Sequence, residues 1–347
     1  MKVICAFDSF KGCISAQEAC ASARDAVWAC YPDAEVVCLP MSDGGEGMTA
    51  CMATSLQGEW REVEVHGPLM ERVIARYFIS LDKTAYMEMA SASGLSLVPL
   101  DKRNPMLTTT WGVGEMILDA VNQGCKHIVM GIGGSATCDG GSGMVDCLMP
   151  HLPLDVEVTV ASDVQNPLCG PDGSAHVFGP QKGATPEQVG ILDERLLQFA
   201  LHTEKLGYAD HNLMHHPGAG AGGGIGYGLM AYLKAKLVSG IDLLLEQVHF
   251  TQYLESASLV LTGEGCSDVQ TLMGKVPMGV LSKARQQDVP VMLLSGGIRD
   301  KEMLLKAGFE VVRSINEHDL RPLSVLMERD TALYNLQYTV RSVLADS

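Results

Sequence analysis

The chain has 347 residues, 47% hydrophobic and 19% charged, a folded globular composition long enough for about two domains rather than a disordered one. A formal net charge of −16 argues against nucleic acid or an anionic membrane as partner, since the phosphates of either would be repelled. Apolar runs stop short of the roughly 20 residues that a spanning helix needs, and eleven cysteines, odd in number and without CxxC spacing, read as reduced, mostly buried thiols of a cytoplasmic protein.

The first residues, "MKVICAFDSF", read as a strand over 3–7 and not as a signal peptide. A helix over about 15–30 follows, with Ser15 and Glu18 forming a capping box. "AEVVCLPM" (34–41) predicts a second strand and "GEGMTACMATSL" a helix. Residues 60–66, 71–80 and 84–90 alternate like strands and are joined by turns, which predicts an antiparallel meander. "HIVMGI" (127–132), "LVLTG" (259–263), "VPVMLL" (289–294) and "FEVVRSI" (309–315) are buried-strand candidates. "VEVTVASDV" adds an alternating strand, and a helix is expected over about 186–206.

This alternation predicts an α/β protein of two domains. One is a mainly parallel, Rossmann-like three-layer sheet domain over 1–59, 96–150 and 235–347. The other is a smaller mixed α/β domain formed by insertions, 60–95 and 151–234. The active site is expected in the cleft between them.

Chemistry concentrates where strands end. The apolar runs pass into "DSFKG", "SDGGEG", "GGSATCDGG", "EGCSDVQT" and "SGG". Five such ends predict a shared polar rim, because ligands of open parallel sheets bind outside the carboxyl ends of the strands. Backbone N–H groups of Gly-rich turns and helix starts there favour anions. Gly133, Gly134 and Ser135, with Gly220, Gly222 and Gly223 of "GAGAGGGIG", are the candidate phosphate-binding positions.

Asp43, Glu46, Asp139 and Glu264 are the candidate Mg²⁺ ligands, since Mg²⁺ takes one or two carboxylates together with phosphate oxygens and water. Asp139 and Asp43 each also stand where a helix N-cap is expected. Lys11, Lys182 and Lys275 are scarce cations flanked by glycine and suited to phosphate or carboxylate. Asp8 and Asp163 are candidates for a base or orienting group. Two familiar patterns fail on context: 218–226 follows "MHHP" rather than a strand, and Gly274-Lys275 lacks the rest of a P-loop. His211, His215 and His216 read as a polar loop.

Taken together, "DSFKG", "DGGEG", "GIGGSAT-x-DGG-x-GM", "SDVQNPLCGPDG", "FGPQKGA", "PGAGAGGGIG" and "TGEG-x-x-D-x-QTLMGKVPMGV" resemble the bacterial glycerate kinases of the type that phosphorylates the 2-hydroxyl. The resemblance runs the length of the chain. It implies a two-domain α/β enzyme with ATP and Mg²⁺ as co-substrates and D-glycerate as acceptor. The chain departs from that pattern at Cys138, where the family usually has Asn, and at Cys266, where it usually has Arg. It also lacks about thirty residues between "GMVDCLM" and "VTVASDV". These departures keep open a second reading, a member that binds nucleotide or a small hydroxy acid without efficient catalysis. A dinucleotide oxidoreductase would rest on the glycine count alone. The oligomeric state is left open, with a homodimer allowed.

Overall fold

The structure, a computed structural model, describes residues 1–345. Its strands are β1 (Lys2–Phe7), β2 (Glu35–Cys38), β3 (Gly58–His66), β4 (Arg72–Ser80), β5 (Thr84–Glu88), β6 (His127–Gly131), β7 (Glu157–Ala161), β8 (Lys236–Val238), β9 (Leu259–Gly263), β10 (Cys266–Ser267), β11 (Val291–Ser295), β12 (Gly297–Ile298) and β13 (Val311–Ser314). The chain forms two compact units. Among the described residues one comprises 1–43, 50–56 and 241–345; the other comprises Gly44–Thr49 and Gln57–Gly240.

The first unit is built on a parallel sheet of order β13-β11-β9-β1-β2. Its central strands β9 and β11 are buried at every position and apolar but for Thr262 and Ser295, as strands covered on both faces tend to be. The expected helix runs Ala16–Cys30, and the Ser15–Glu18 capping box is formed, with Ser15 Oγ accepting from the Glu18 N–H. Helix Arg329–Ala345 shares its core, placing Leu336, Val340 and Val343 with Val3, Phe7 and Leu261.

The second unit holds a six-stranded sheet of order β3-β4-β5-β6-β7-β8. The meander is antiparallel, and β5 through β8 pair in parallel. Its core gathers Tyr77, Met87, Met116, Ile128, Val160 and Tyr227.

Two expectations are corrected here. Residues 96–150 do not accompany 1–59: β6 hydrogen-bonds to β5 and β7, so this stretch completes the second sheet. For the same reason the inserted unit is the larger of the two. Single strand-like runs carry no label saying which sheet they join; pairing decides that.

Candidate active site

The five strand ends expected on one rim divide between two cavities, because β6 belongs to a different sheet from β1, β9 and β11. In the first unit the chain leaves β1 for β2 on one side and then builds β9, β11 and β13 on the other. The carboxyl ends of β1 and β9 therefore flank the switch point, where doubly wound sheets open a crevice. A cavity of about 590 Å³ lies there, and Asp8, Lys11, Asp43, Glu264 and Lys275 all line it.

Asp8 follows β1 directly and is 5% exposed. Burial, then the nearby Asp43 carboxylate, pushes its carboxyl up to about 7, with Glu264 adding to the effect. The Ser9 N–H, which donates to Asp8 Oδ1 at 2.6 Å, and Lys11 pull the other way. Glu264 follows β9. Its Oε1 accepts from Thr271 Oγ1 at 2.7 Å and Ser267 Oγ at 3.0 Å. Its Oε2 lies 3.7 Å from Lys275 Nζ. Lys275 is the N-cap of helix Val276–Arg285, which no side chain caps, so the N–H groups of its first turn add positive potential.

A second cavity, about 220 Å³, lies within the other unit and is lined by Gly133, Gly134, Ser135, Lys182, Gly222 and Gly223 among others. Lys182 is 3% exposed. Its ammonium donates to Ser135 Oγ at 2.6 Å and to Thr137 O at 2.7 Å. Both partners are neutral. Burial pulls the ammonium below the usual lysine range, against Cys138 and Asp139. A buried cation held only by neutral oxygens is suited to an incoming anion.

The glycines here answer a packing demand as well as a ligand. A Cβ on Gly223 would run into the Thr137 carbonyl oxygen, and one on Gly220 into that of Pro167; Gly223 also sits at φ +82°. Gly220 is not on the cavity wall but behind it. The cavity is smaller than the roughly 300 Å³ at which sites for drug-sized ligands begin, so it suits a small anion better than a triphosphate.

Asp139 is engaged by the second unit's own donors. Its Oδ2 accepts from Thr110 N, Thr110 Oγ1 and Gly143 N at 2.9, 2.8 and 3.3 Å, and its Oδ1 accepts from Gly141 N at 3.1 Å. Three of these donors converge on Oδ2 and one on Oδ1, and they tie the "GIGGSATCDGGSG" loop to the start of helix Trp111–Asn122. Glu46 is exposed, belongs to the second unit and does not line the cavity that holds Asp43 and Glu264. Asp163 lies between Ser162 and Val164, which both line the smaller cavity. Cys138 is buried in the core and lines neither cavity, whereas Cys266 is exposed and lines the larger one.

Sequence patterns did not single out Ser9, Arg299 and Asn316, which also line the larger cavity, or Glu88. Glu88 accepts from Thr49 N at 2.8 Å and Gly47 N at 3.1 Å, and burial raises its carboxyl above the usual range. Its position at the end of β5, a strand that ends in an acid, was the available signal.

Comparison with known proteins bears on this arrangement. The sequence matches the glycerate kinase family over residues 3–152 and 148–345. A glycerate kinase of Bacillus subtilis strain 168 is 42% identical over 346 residues, spanning 91% of this chain and 90% of that one. A glycerate 2-kinase of Escherichia coli K12 is 39% identical over 354 residues, 92% of each. The crystal structure of a candidate glycerate kinase 2 from Salmonella typhimurium LT2 matches with a TM-score of 0.85 at 38% identity, covering 100% of this chain and 98% of that one. Among the described residues no helix is long and apolar enough to cross a membrane. The chain is a kinase and belongs to the glycerate kinase family.

Proposed function

We propose that the chain phosphorylates D-glycerate on its 2-hydroxyl with ATP and Mg²⁺, giving 2-phosphoglycerate. The observation that carries this reading is the buried Lys182 ammonium beside Ser135 in a cavity sized for a small acid. A glycerate carboxylate there would complete the charge that Lys182 lacks. Asp163, next to that cavity's wall, would orient or deprotonate the acceptor hydroxyl.

The donor phosphates, which the glycine loops were expected to hold, are reassigned to the larger cavity. Lys11, Lys275 and Arg299 supply cations there, and the uncapped helix start supplies N–H groups. The acids fit Mg²⁺. Asp8, Asp43 and Glu264 repel one another at one cavity, which a cation relieves. Among the described residues no cluster of His, Cys, Asp and Glu encloses a metal unaided, which suits an ion that draws most ligands from phosphate and water. Asp43 and Glu264 would hold it. When bound, Mg²⁺ neutralises triphosphate charge. Positioning and charge neutralisation are what phosphoryl transfer chiefly asks of a protein.

A coupled ADP-release assay with ATP, Mg²⁺ and D-glycerate, with the product read by phosphorus NMR, tests this. Turnover to 2-phosphoglycerate supports it; a 3-phosphate product overturns the regiochemistry. One feature favours the binding-only reading: Cys266, on the wall of the larger cavity, stands where the family resemblance implies an arginine. Nucleotide binding without turnover on any hydroxy acid would decide for it.

A further inference from the structure

The wall of the larger cavity changes character along the sheet edge. At the ends of β2, β1 and β9 it presents Asp43, Asp8 and Glu264. Past β11 and β13 it presents Ile315 and then Leu323, Leu326 and Met327. Leu323 is 68% and Met327 42% exposed, although large apolar side chains beside a cavity normally have a reason to stay uncovered. Phe10, carried on the β1 loop, reaches toward the same end: its Cδ2 is 3.7 Å from where a Gly296 Cβ would stand. Met327 Cε is likewise 3.7 Å from a Cβ position on Gly12, so Met327 faces the same loop.

From β1 to β13 is three strand spacings, roughly 14 Å at about 4.8 Å each. That is the span of a molecule charged at one end and apolar at the other. Glycerate is too small and too polar to use it. Asn316, the polar side chain at the apolar end, is turned to the protein: its Nδ2 donates to Gly296 O at 2.8 Å and its Oδ1 accepts from Asn335 Nδ2 at 2.9 Å. What remains open to a ligand there is mainly the hydrocarbon of Leu323, Leu326 and Met327, with Phe10 and Ile315 buried behind it.

We infer that the purine of the donor nucleotide is held at this apolar end, against Leu323, Leu326 and Met327, with its phosphates running back toward Lys275 and Lys11. The inference rests on the kinase reading above and assigns one part of it to named residues. Recognition is by apolar contact over a planar ring.

The test separates base from phosphates. Binding of ADP and of inorganic tripolyphosphate, each with Mg²⁺, is measured by calorimetry on the full chain and on two variants. Leu323→Asp alters an exposed rim position and leaves the core intact. Met327→Trp fills the slot. Thermal melts establish that both are folded. Each variant is expected to weaken ADP by about tenfold or more and tripolyphosphate by less than about twofold, the lost contacts being worth roughly 1.4 kcal/mol per tenfold. ADP affinity unchanged in both folded variants overturns the base subsite while leaving kinase activity standing. Equal weakening of ADP and tripolyphosphate also overturns it, because the effect would then lie with the phosphates. A wild-type chain that neither binds ADP nor turns over fails the kinase reading itself, and the subsite falls with it.

Discussion

Lys182 Nζ donates to Ser135 Oγ at 2.6 Å with both side chains buried, so an ammonium that burial disfavours sits inside the second unit with only neutral oxygens as hydrogen-bond partners. Lys182→Met tests whether that charge exists for an anion. The ammonium's bond to a carboxylate is worth about 2–3 kcal/mol, so the glycerate KM should rise roughly 30- to 150-fold. The melting temperature should hold within a few degrees, because relief of the buried charge offsets the two lost hydrogen bonds. A KM within threefold of wild type would remove Lys182 from substrate binding.

Gly223 should tolerate no side chain. At φ +82°, with the Thr137 carbonyl in the way, Gly223→Ala should destabilise by about 3 kcal/mol or more and disturb the acceptor that Lys182 uses. Gly190 provides the control: it lies in helix Pro186–Lys205 with nothing near a Cβ position. Gly190→Ala should leave the melting temperature equal or higher, by up to about 1 kcal/mol of helix propensity. Similar losses in both variants would contradict the packing account.

Asp139 and the acids of the larger cavity should part company. Asp139→Ala loses the bonds from Thr110, Gly141 and Gly143 and should lower the melting temperature by several degrees, a cost of about 2–4 kcal/mol. Its apparent Mg²⁺ requirement should stay within about twofold. Asp43→Asn and Glu264→Gln should instead raise the Mg²⁺ concentration for half-maximal rate about tenfold with little loss of stability. A shifted Mg²⁺ requirement in Asp139→Ala alone would restore it as a ligand.

Asp8 should make the protein's stability fall as pH rises. Its folded carboxyl is pushed up to about 7 from an ordinary value of 3.8, so the native state binds the proton more tightly than the unfolded chain does. That stabilisation is full below pH 4 and is lost as pH rises to 7, on the order of 4 kcal/mol in all. Asp8→Asn removes this dependence. Denaturant unfolding with chelator present should find the variant more stable than wild type at pH 8, with the difference closing toward pH 4. A difference independent of pH would refute the assignment.

Much of the fold was legible because it is local. The capping box at Ser15 and Glu18, the strand "LVLTG" and the helix beginning at Pro186 follow from residues within a few positions of one another. So do the chemical types at the site, since aspartates, glutamates and lysines at strand ends are visible without coordinates. What was not legible depends on who pairs with whom. β6 reads as one more buried strand, yet hydrogen bonds to β5 and β7 place it, and with it Gly133 to Ser135, in a different sheet from Asp8 and Glu264.

The sequence by itself determined the class of chain, the strand and helix periods, the family and the inventory of acids, cations and glycines, because these depend on composition and on contacts within one element. Only the tertiary structure decided which of those residues share a cavity. Asp139 and Glu264 look alike as acids in glycine-rich turns. One is bonded by the N–H groups of nearby Gly141 and Gly143 and by the N–H and hydroxyl of Thr110, 29 residues away, and the other lines an open cavity beside Lys275. A carboxylate's role is set by what fills its lone pairs, and in a folded chain that is settled by neighbours the sequence does not place side by side.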